Sequence, residues 1–164
     1  MKTVYLVRHA KSSWDYNSLR DIERPLNDRG IRDAPFMAKM LKKKGVEPDA
    51  LISSPAVRAL MTATYFKIGM GIEGADVIIK DEIYESMSST IVQLIQRLPE
   101  DLDTVMLFGH NPTFTSVANI FNDNYIGNMP TCSIARIDGD VANWMEFKEG
   151  NAKLTEFHYP KEYF

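Results

Sequence analysis

The segment from Thr3 to Trp14 reads TVYLVRHAKSSW. Val4-Tyr5-Leu6-Val7 form an unbroken apolar run, the pattern of a buried β-strand. The run then stops on a charged and a titratable residue side by side, Arg8 and His9, followed by Lys11 and two serines. A buried strand with such an end suits a sheet that is covered by helices and carries its chemistry at the strand termini.

The residues downstream supply those helices. After a first strand over Thr3–Val7, a helix is predicted from Asn27/Asp28. Ile31, Ala34, Met37, Ala38 and Leu41 fall at helical spacing, Lys42-Lys43-Lys44 suit the helix dipole, and Gly45 suits the stop. Ala50-Leu51-Ile52 is a short strand running into SSPAVRALMTATYF, where Ser54 is a candidate cap and Pro55 a candidate first helical residue. Val77-Ile78-Ile79 is the third strand. SSTIVQLIQRLP is the third helix, capped by Ser88 or Ser89 and stopped before Pro99. TVMLFG is the fourth strand, and HNPTFTSVANIF the fourth helix, with Asn111 as cap and Pro112 first. The remainder reads as two or three antiparallel strands with a hairpin turn at Asp138-Gly139-Asp140. Strand and helix alternate four times, which predicts an α/β fold. The expected architecture is a three-layer sandwich with a mostly parallel central sheet, helices on both faces and antiparallel strands from the C-terminal part.

At 164 residues, 45% apolar and 25% charged, the chain fits a single domain over residues 1–164. Its formal net charge of −3 argues against nucleic acid and anionic membranes as partners, so any attraction for anions has to come from local clusters of Lys and Arg. The sequence enters a strand directly, without a signal peptide. No apolar run reaches membrane-spanning length, and the one cysteine, Cys132, has no internal partner, so a cytoplasmic location is expected. Cys132 lies in the strand-like CSIARI and reads as a buried, inert thiol.

Ligands of open α/β sheets bind outside the carboxyl ends of the strands. The first strand delivers Arg8-His9 there, the second is followed by Arg58, the third by DEIYES with Asp81, Glu82 and Glu85, and the fourth ends at Gly109-His110. Two of the three histidines and two arginines thus fall where one crevice can collect them. Arginine binds phosphate oxygens bidentately and stays charged, and helix N-termini add donors. A histidine in that field is a nitrogen nucleophile or an acid-base group poised near neutral pH, and the surrounding cations should depress its pKa and keep one ring nitrogen unprotonated. No metal-ligand cluster and no glycine-rich phosphate loop accompanies them, so the expectation is phosphoryl transfer with no metal and no cofactor, the side-chain cations neutralising the phosphoryl oxygens.

At these residues the sequence resembles the histidine phosphatase superfamily, which also contains cofactor-dependent phosphoglycerate mutases. LVRHAKSSW, RPLNDRG, LISSPAVRALMTA, IYES and LFGHNP occur in family order between Leu6 and Pro112 and are similar to its small, phosphohistidine-phosphatase-like branch. The resemblance implies that His9 is the nucleophile, that Arg8, Arg58 and His110 complete the phosphate pocket, and that Glu85 protonates the leaving group, with Glu82 as the substitute. Ser12 matches a substrate-binding position. Arg24 has two readings, a contact at the pocket rim or a salt bridge fixing its loop, and Lys11 has the same two; both stand with Ser12 as candidate substrate contacts. Many members carry glycine after the Arg-His pair where this chain has Ala10. His158, Trp14 and Trp144 read as packing or surface residues.

The link between the helix holding Arg58 and DEIYES is short, which predicts a shallow, open site. That favours a phosphorylated protein, with phosphohistidine first, over a small phosphorylated substrate, and it disfavours mutase activity. A broad small-molecule phosphomonoesterase is the alternative reading, and a non-catalytic phosphate-binding module stands behind both. The sequence leaves the oligomeric state open.

Overall fold

A computed structural model describes residues 1–164. Its strands are β1 (Lys2–Arg8), β2 (Ala50–Ser53), β3 (Val77–Ile79), β4 (Thr104–Gly109), β5 (Ile134–Gly139) and β6 (Ala152–His158). They form one sheet in the order β3-β2-β4-β1-β5-β6. The four strands on the β3 side run parallel, while β5 and β6 pair antiparallel to β1 and to each other. The mostly parallel sheet with antiparallel C-terminal strands is therefore the architecture expected.

The buried run of β1 is explained by what covers it. Val4 and Leu6, with Val105 and Leu107 of β4, face a core closed by α3 (Ser88–Gln96) and α4 (Thr113–Ile120). Tyr5 and Val7, with Met106 and Phe108, face a second core closed by α1 (Asp28–Lys43) and α2 (Val57–Gly69). Period-two alternation along a strand lined on both faces produces a continuous apolar run.

α1 begins as expected. Asn27 caps it by accepting the Gly30 N–H at 3.0 Å, and Lys42 and Lys43 sit in the last turn. Gly30 is required for packing, because a Cβ there would run into the carbonyl of Lys11. Ile31, by contrast, points to solvent rather than into the core.

Three caps differ from expectation. α2 starts at Val57 behind Ala56, and Ser54 sits earlier, its Oγ accepting the Ala56 N–H at 3.1 Å. Neither Ser88 nor Ser89 caps α3, whose cap position is Met87; both lie inside its first turn. α4 starts one residue after Pro112, although Asn111 still reaches back to accept the Thr115 N–H at 3.2 Å.

Asp138 and Gly139 do not form a hairpin turn. They end β5, paired with Lys153 and Ala152, and residues 140–151 form a longer connection that inserts Trp144 and Phe147 into the core. The apolar content of that connection outweighs the local turn preference of Asp-Gly-Asp. No helix is long and apolar enough to cross a membrane.

Chain order and sheet order differ in one informative way. The chain steps from β1 to β2 to β3 toward one edge, then returns to place β4 between β2 and β1. The helices after β1 and β4 leave on opposite faces, which opens a crevice at the carboxyl ends of these two strands.

Candidate active site

The parallel register sets Arg8 beside Gly109, so His9 and His110 leave the sheet together. Their ring centroids are 5.3 Å apart, tilted at 52°. Gly109 is needed at this point because any Cβ would collide with the Phe114 ring. The turn at His9 is held from three sides. Its N–H donates to the Gly109 carbonyl at 3.0 Å, and the Cys132 N–H donates to the carbonyls of both Arg8 and His9 at 3.1 Å. From α2, the Thr62 hydroxyl accepts the Ala10 N–H at 3.0 Å and donates to the Arg58 carbonyl at 2.8 Å.

His9 is 7% exposed, and its Nδ1 lies 2.7 Å from the Ala10 carbonyl. A carbonyl can only accept, so Nδ1 carries the proton and Nε2 the lone pair. Burial pushes the imidazole pKa down to about 3; the fields of His110, Arg58 and Arg8 add to this, and the Ala10 bond offsets only part of it. His110 is lowered to about 4, by burial first and by Arg58 next. Its Nε2 lies 2.8 Å from Ser54 Oγ. That oxygen already accepts the Ala56 N–H, so its own hydrogen is satisfied by donating to Nε2, which leaves Nδ1–H free.

Arg8 donates from Nη1 to the Met129 carbonyl at 2.7 Å, and Arg58 donates to the Asp21 backbone carbonyl at 2.7 Å and to its carboxylate at 3.0 Å. Four buried side-chain polar atoms lack a partner: Arg8 Nε, Arg58 Nε, His110 Nδ1 and Ser133 Oγ. Three of them belong to the residues gathered around His9. Buried polar groups are normally paired, so a cluster of orphaned donors at one place is the signature of a site built for an anion.

The outer wall comes from loops. Asp21, Arg58, Tyr84, Glu85 and His110 line a cleft of about 370 Å³. Asp21 is the hub of this wall, accepting from Tyr84 Oη at 2.7 Å and Arg24 Nε at 3.1 Å as well as from Arg58. Burial alone would raise its carboxyl, but the hydrogen bonds from Tyr84 and Arg58 outweigh that and hold it near 2. Burial and the bond to Asp21 push the Tyr84 hydroxyl up to about 12. Glu85 is exposed and sits in left-handed backbone, φ 53°. That conformation costs a non-glycine residue on the order of 1–2 kcal/mol, a strain typical of functional positions.

The structure therefore brings Arg8, His9, Arg58 and His110 together and sets Glu85 in the same cleft. Glu82 lines a separate groove with Lys80, Thr90 and Gln93. Arg24 is buried, donates to Ser12 Oγ at 2.9 Å, pairs with Asp21 and lies 3.6 Å over the Trp14 ring. It thus fixes its loop beside the cleft, and Ser12 is its partner. Lys11 does not face the cleft but lines a different groove with Arg8 and Arg29. Trp14 is not packed in the core; it is 70% exposed under Arg24, whereas Trp144 is fully buried. His158 pairs with Glu156 on β6, away from the cleft. Cys132 is fully buried and burial pushes its thiol pKa up, as fits an inert group. No group of three or more His, Cys, Asp or Glu side chains is arranged to hold a metal.

Asp21, Tyr84 and Thr62 were not among the residues expected, and Ser54 was expected only as a helix cap. Thr62 and Ser54 lie inside LISSPAVRALMTA and Tyr84 inside IYES, so the motif residues around the charged positions carried that signal. Asp21 had none.

With this geometry established, comparison with known proteins is specific. The model of the histidine phosphatase superfamily, branch 1, matches residues 4–105. The chain belongs to that superfamily and groups with its SixA-like members. SixA from Agrobacterium tumefaciens is 28% identical and superposes with a TM-score of 0.81, covering 97% of this chain and 98% of that one. The protein histidine phosphatase SixA solved with tungstate is 22% identical with a TM-score of 0.82, covering 98% of each chain. An uncharacterized protein of Mycobacterium tuberculosis is 29% identical over 167 aligned residues, covering 94% of this chain and all of that one. Family and fold together support phosphatase activity, a hydrolase chemistry.

Proposed function

We propose that this protein is a phosphohistidine phosphatase that works through a phosphoryl intermediate on His9, without a metal or cofactor. The observation that carries the reading is a neutral, buried His9 with its Nε2 lone pair free, surrounded by the unpaired donors of Arg8, Arg58 and His110.

In the first step Nε2 attacks phosphorus in line as the bond to the leaving group breaks. Arg8, Arg58 and His110 Nδ1–H hold the equatorial oxygens, whose charge they are placed to offset. The leaving group takes the bonding pair and a proton from Glu85. In the second step water attacks phospho-His9, gives its proton to Glu85, and the P–N bond pair returns to Nε2 with release of inorganic phosphate. An imidazole leaving group on an already labile P–N bond needs little help from Glu85, whereas an ester oxygen needs a great deal. The presence of Glu85 in the cleft is thus the observation that favours the second reading, a small-molecule phosphomonoesterase.

The two are separated by offering a phosphohistidine peptide and a panel of phosphomonoesters in parallel. A higher kcat/KM on the peptide is expected; a preference for esters by about an order of magnitude, equivalent to 1.4 kcal/mol, would overturn the substrate assignment. Turnover by His9→Ala would overturn the mechanism.

A further inference from the structure

Arg8 forms a wall common to the phosphate site and a second cavity of about 370 Å³, lined also by Lys11, Arg29, Arg32, Thr131 and Lys161. The groove is strongly basic on a chain whose net charge is −3. Among its lining residues the only acidic side chain is Asp33, which is buried and taken up by Arg32 at 2.8 Å and Arg29 at 3.9 Å. Arg29 is further held by Thr131 Oγ1 at 3.0 Å, and Arg32 lies 4.2 Å over the Phe164 ring. Lys11 and Lys161 make no ion pair. The neighbouring Glu162 turns its carboxylate back to the Tyr159 N–H at 3.0 Å. The positive side chains of the groove therefore outnumber its one acidic side chain, and through Arg8 the groove adjoins the residues assigned to hold the phosphoryl group.

We propose that this groove docks an acidic stretch of the polypeptide that carries the phosphoryl group. The inference rests on the reading of the substrate as a phosphorylated protein. The cleft with Asp21 and Glu85 receives the leaving side chain, while Asp or Glu residues flanking it lie in the groove against Lys11 and Lys161. Such complementarity acts on encounter and KM rather than on the chemical step, and salt weakens it.

The test uses two phosphohistidine peptides, one with acidic and one with neutral flanks, together with p-nitrophenyl phosphate, which has no flanks. The native protein is expected to favour the acidic peptide in kcat/KM by about tenfold at ~0.05 M salt, and less at ~0.2 M. Lys161→Glu is expected to abolish that preference and to leave p-nitrophenyl phosphate unchanged. Equal rates on both peptides for the native protein, or a variant that loses activity on all three substrates alike, would overturn the proposal. Fluorescence anisotropy with an unphosphorylated acidic peptide gives a readout independent of catalysis. Binding that Lys161→Glu removes supports the groove even if no phosphohistidine peptide is hydrolysed, a result that overturns the substrate reading instead. Failure to bind this peptide, while duplex DNA or phosphatidylserine vesicles bind, overturns the polypeptide as occupant.

Discussion

On the inner wall of the cleft, His9 and Arg58 are 7% and 6% exposed; bonds from Gly109, Thr62 and Cys132 fix the turn at His9, and the Thr62 hydroxyl holds the Arg58 carbonyl. On the outer wall, Asp21 and Glu85 are exposed and belong to connecting segments, tied to the inner wall through the Asp21–Arg58 pair. The inner wall offers a field of unpaired donors that, in the proposed mechanism, any phosphoryl group would meet in the same way. In the proposed mechanism the outer wall, through Glu85, supplies the proton and the contacts that depend on what the phosphoryl group is attached to. On the proposed reading, general phosphate chemistry is assigned to the sheet, and discrimination to the loops.

That division is open to direct attack. The largest expected effect is His9→Ala, which should remove turnover and the acid-labile phosphoenzyme on every substrate, seen by intact-protein mass spectrometry under alkaline conditions. Arg58→Ala should follow, with losses on the order of 10²–10³-fold on esters and phosphohistidine alike, measured as kcat. Glu85→Gln should separate the walls most sharply. It is expected to cost about 10²–10⁴-fold on phosphomonoesters and far less on a phosphohistidine peptide. An equal loss on both would show that the outer wall serves the phosphoryl group itself. Asp21→Asn should be milder, about tenfold in kcat/KM on all substrates, because Arg58 loses a charged anchor but keeps its bond to the Asp21 backbone carbonyl.

The smallest change probes the inner wall through pH. His9 and His110 hold pKa values of about 3 and about 4 in the folded protein, against about 6.5 in an unfolded chain. Between those limits the unfolded chain binds protons that the folded one refuses. Stability is therefore full above about pH 6.5 and falls as pH drops, by roughly 2 kcal/mol per histidine between pH 7 and pH 5. Urea midpoints at the two pH values measure the slope, and His9→Asn should flatten it. Activity should not decline with an apparent pKa near 6.5, because both rings are already neutral there.

The same division accounts for what could be read from the sequence. Arg8-His9 and Gly109-His110 end apolar strands, and Arg58 opens a helix after another, so their positions follow from hydrophobic pattern and topology. Asp21 was invisible because its role is made by contacts with Arg58 and Tyr84, 37 and 63 residues away. Lys11 and Ser12, both expected as candidate substrate contacts, part for a geometric reason. Ser12 bridges to Leu26 in extended backbone, and adjacent side chains there point to opposite sides, so only one of the two could meet Arg24. The Asp138-Gly139-Asp140 turn failed because Trp144 and Phe147 draw the connection into the core, a preference that local turn rules do not contain.

The late placement of β4 between β2 and β1 also bears on how the molecule comes into being. The two histidines become neighbours only when Gly109 is set against Arg8, a contact spanning most of the chain made up to that point. No amino-terminal fragment ending before β4 carries the pocket, and such non-local pairing is the slow kind of step in folding. On the proposed mechanism, catalytic competence thus reports the pairing of β4 with β1: in a refolding experiment, phosphoenzyme formation should rise with tertiary structure and not with helix content.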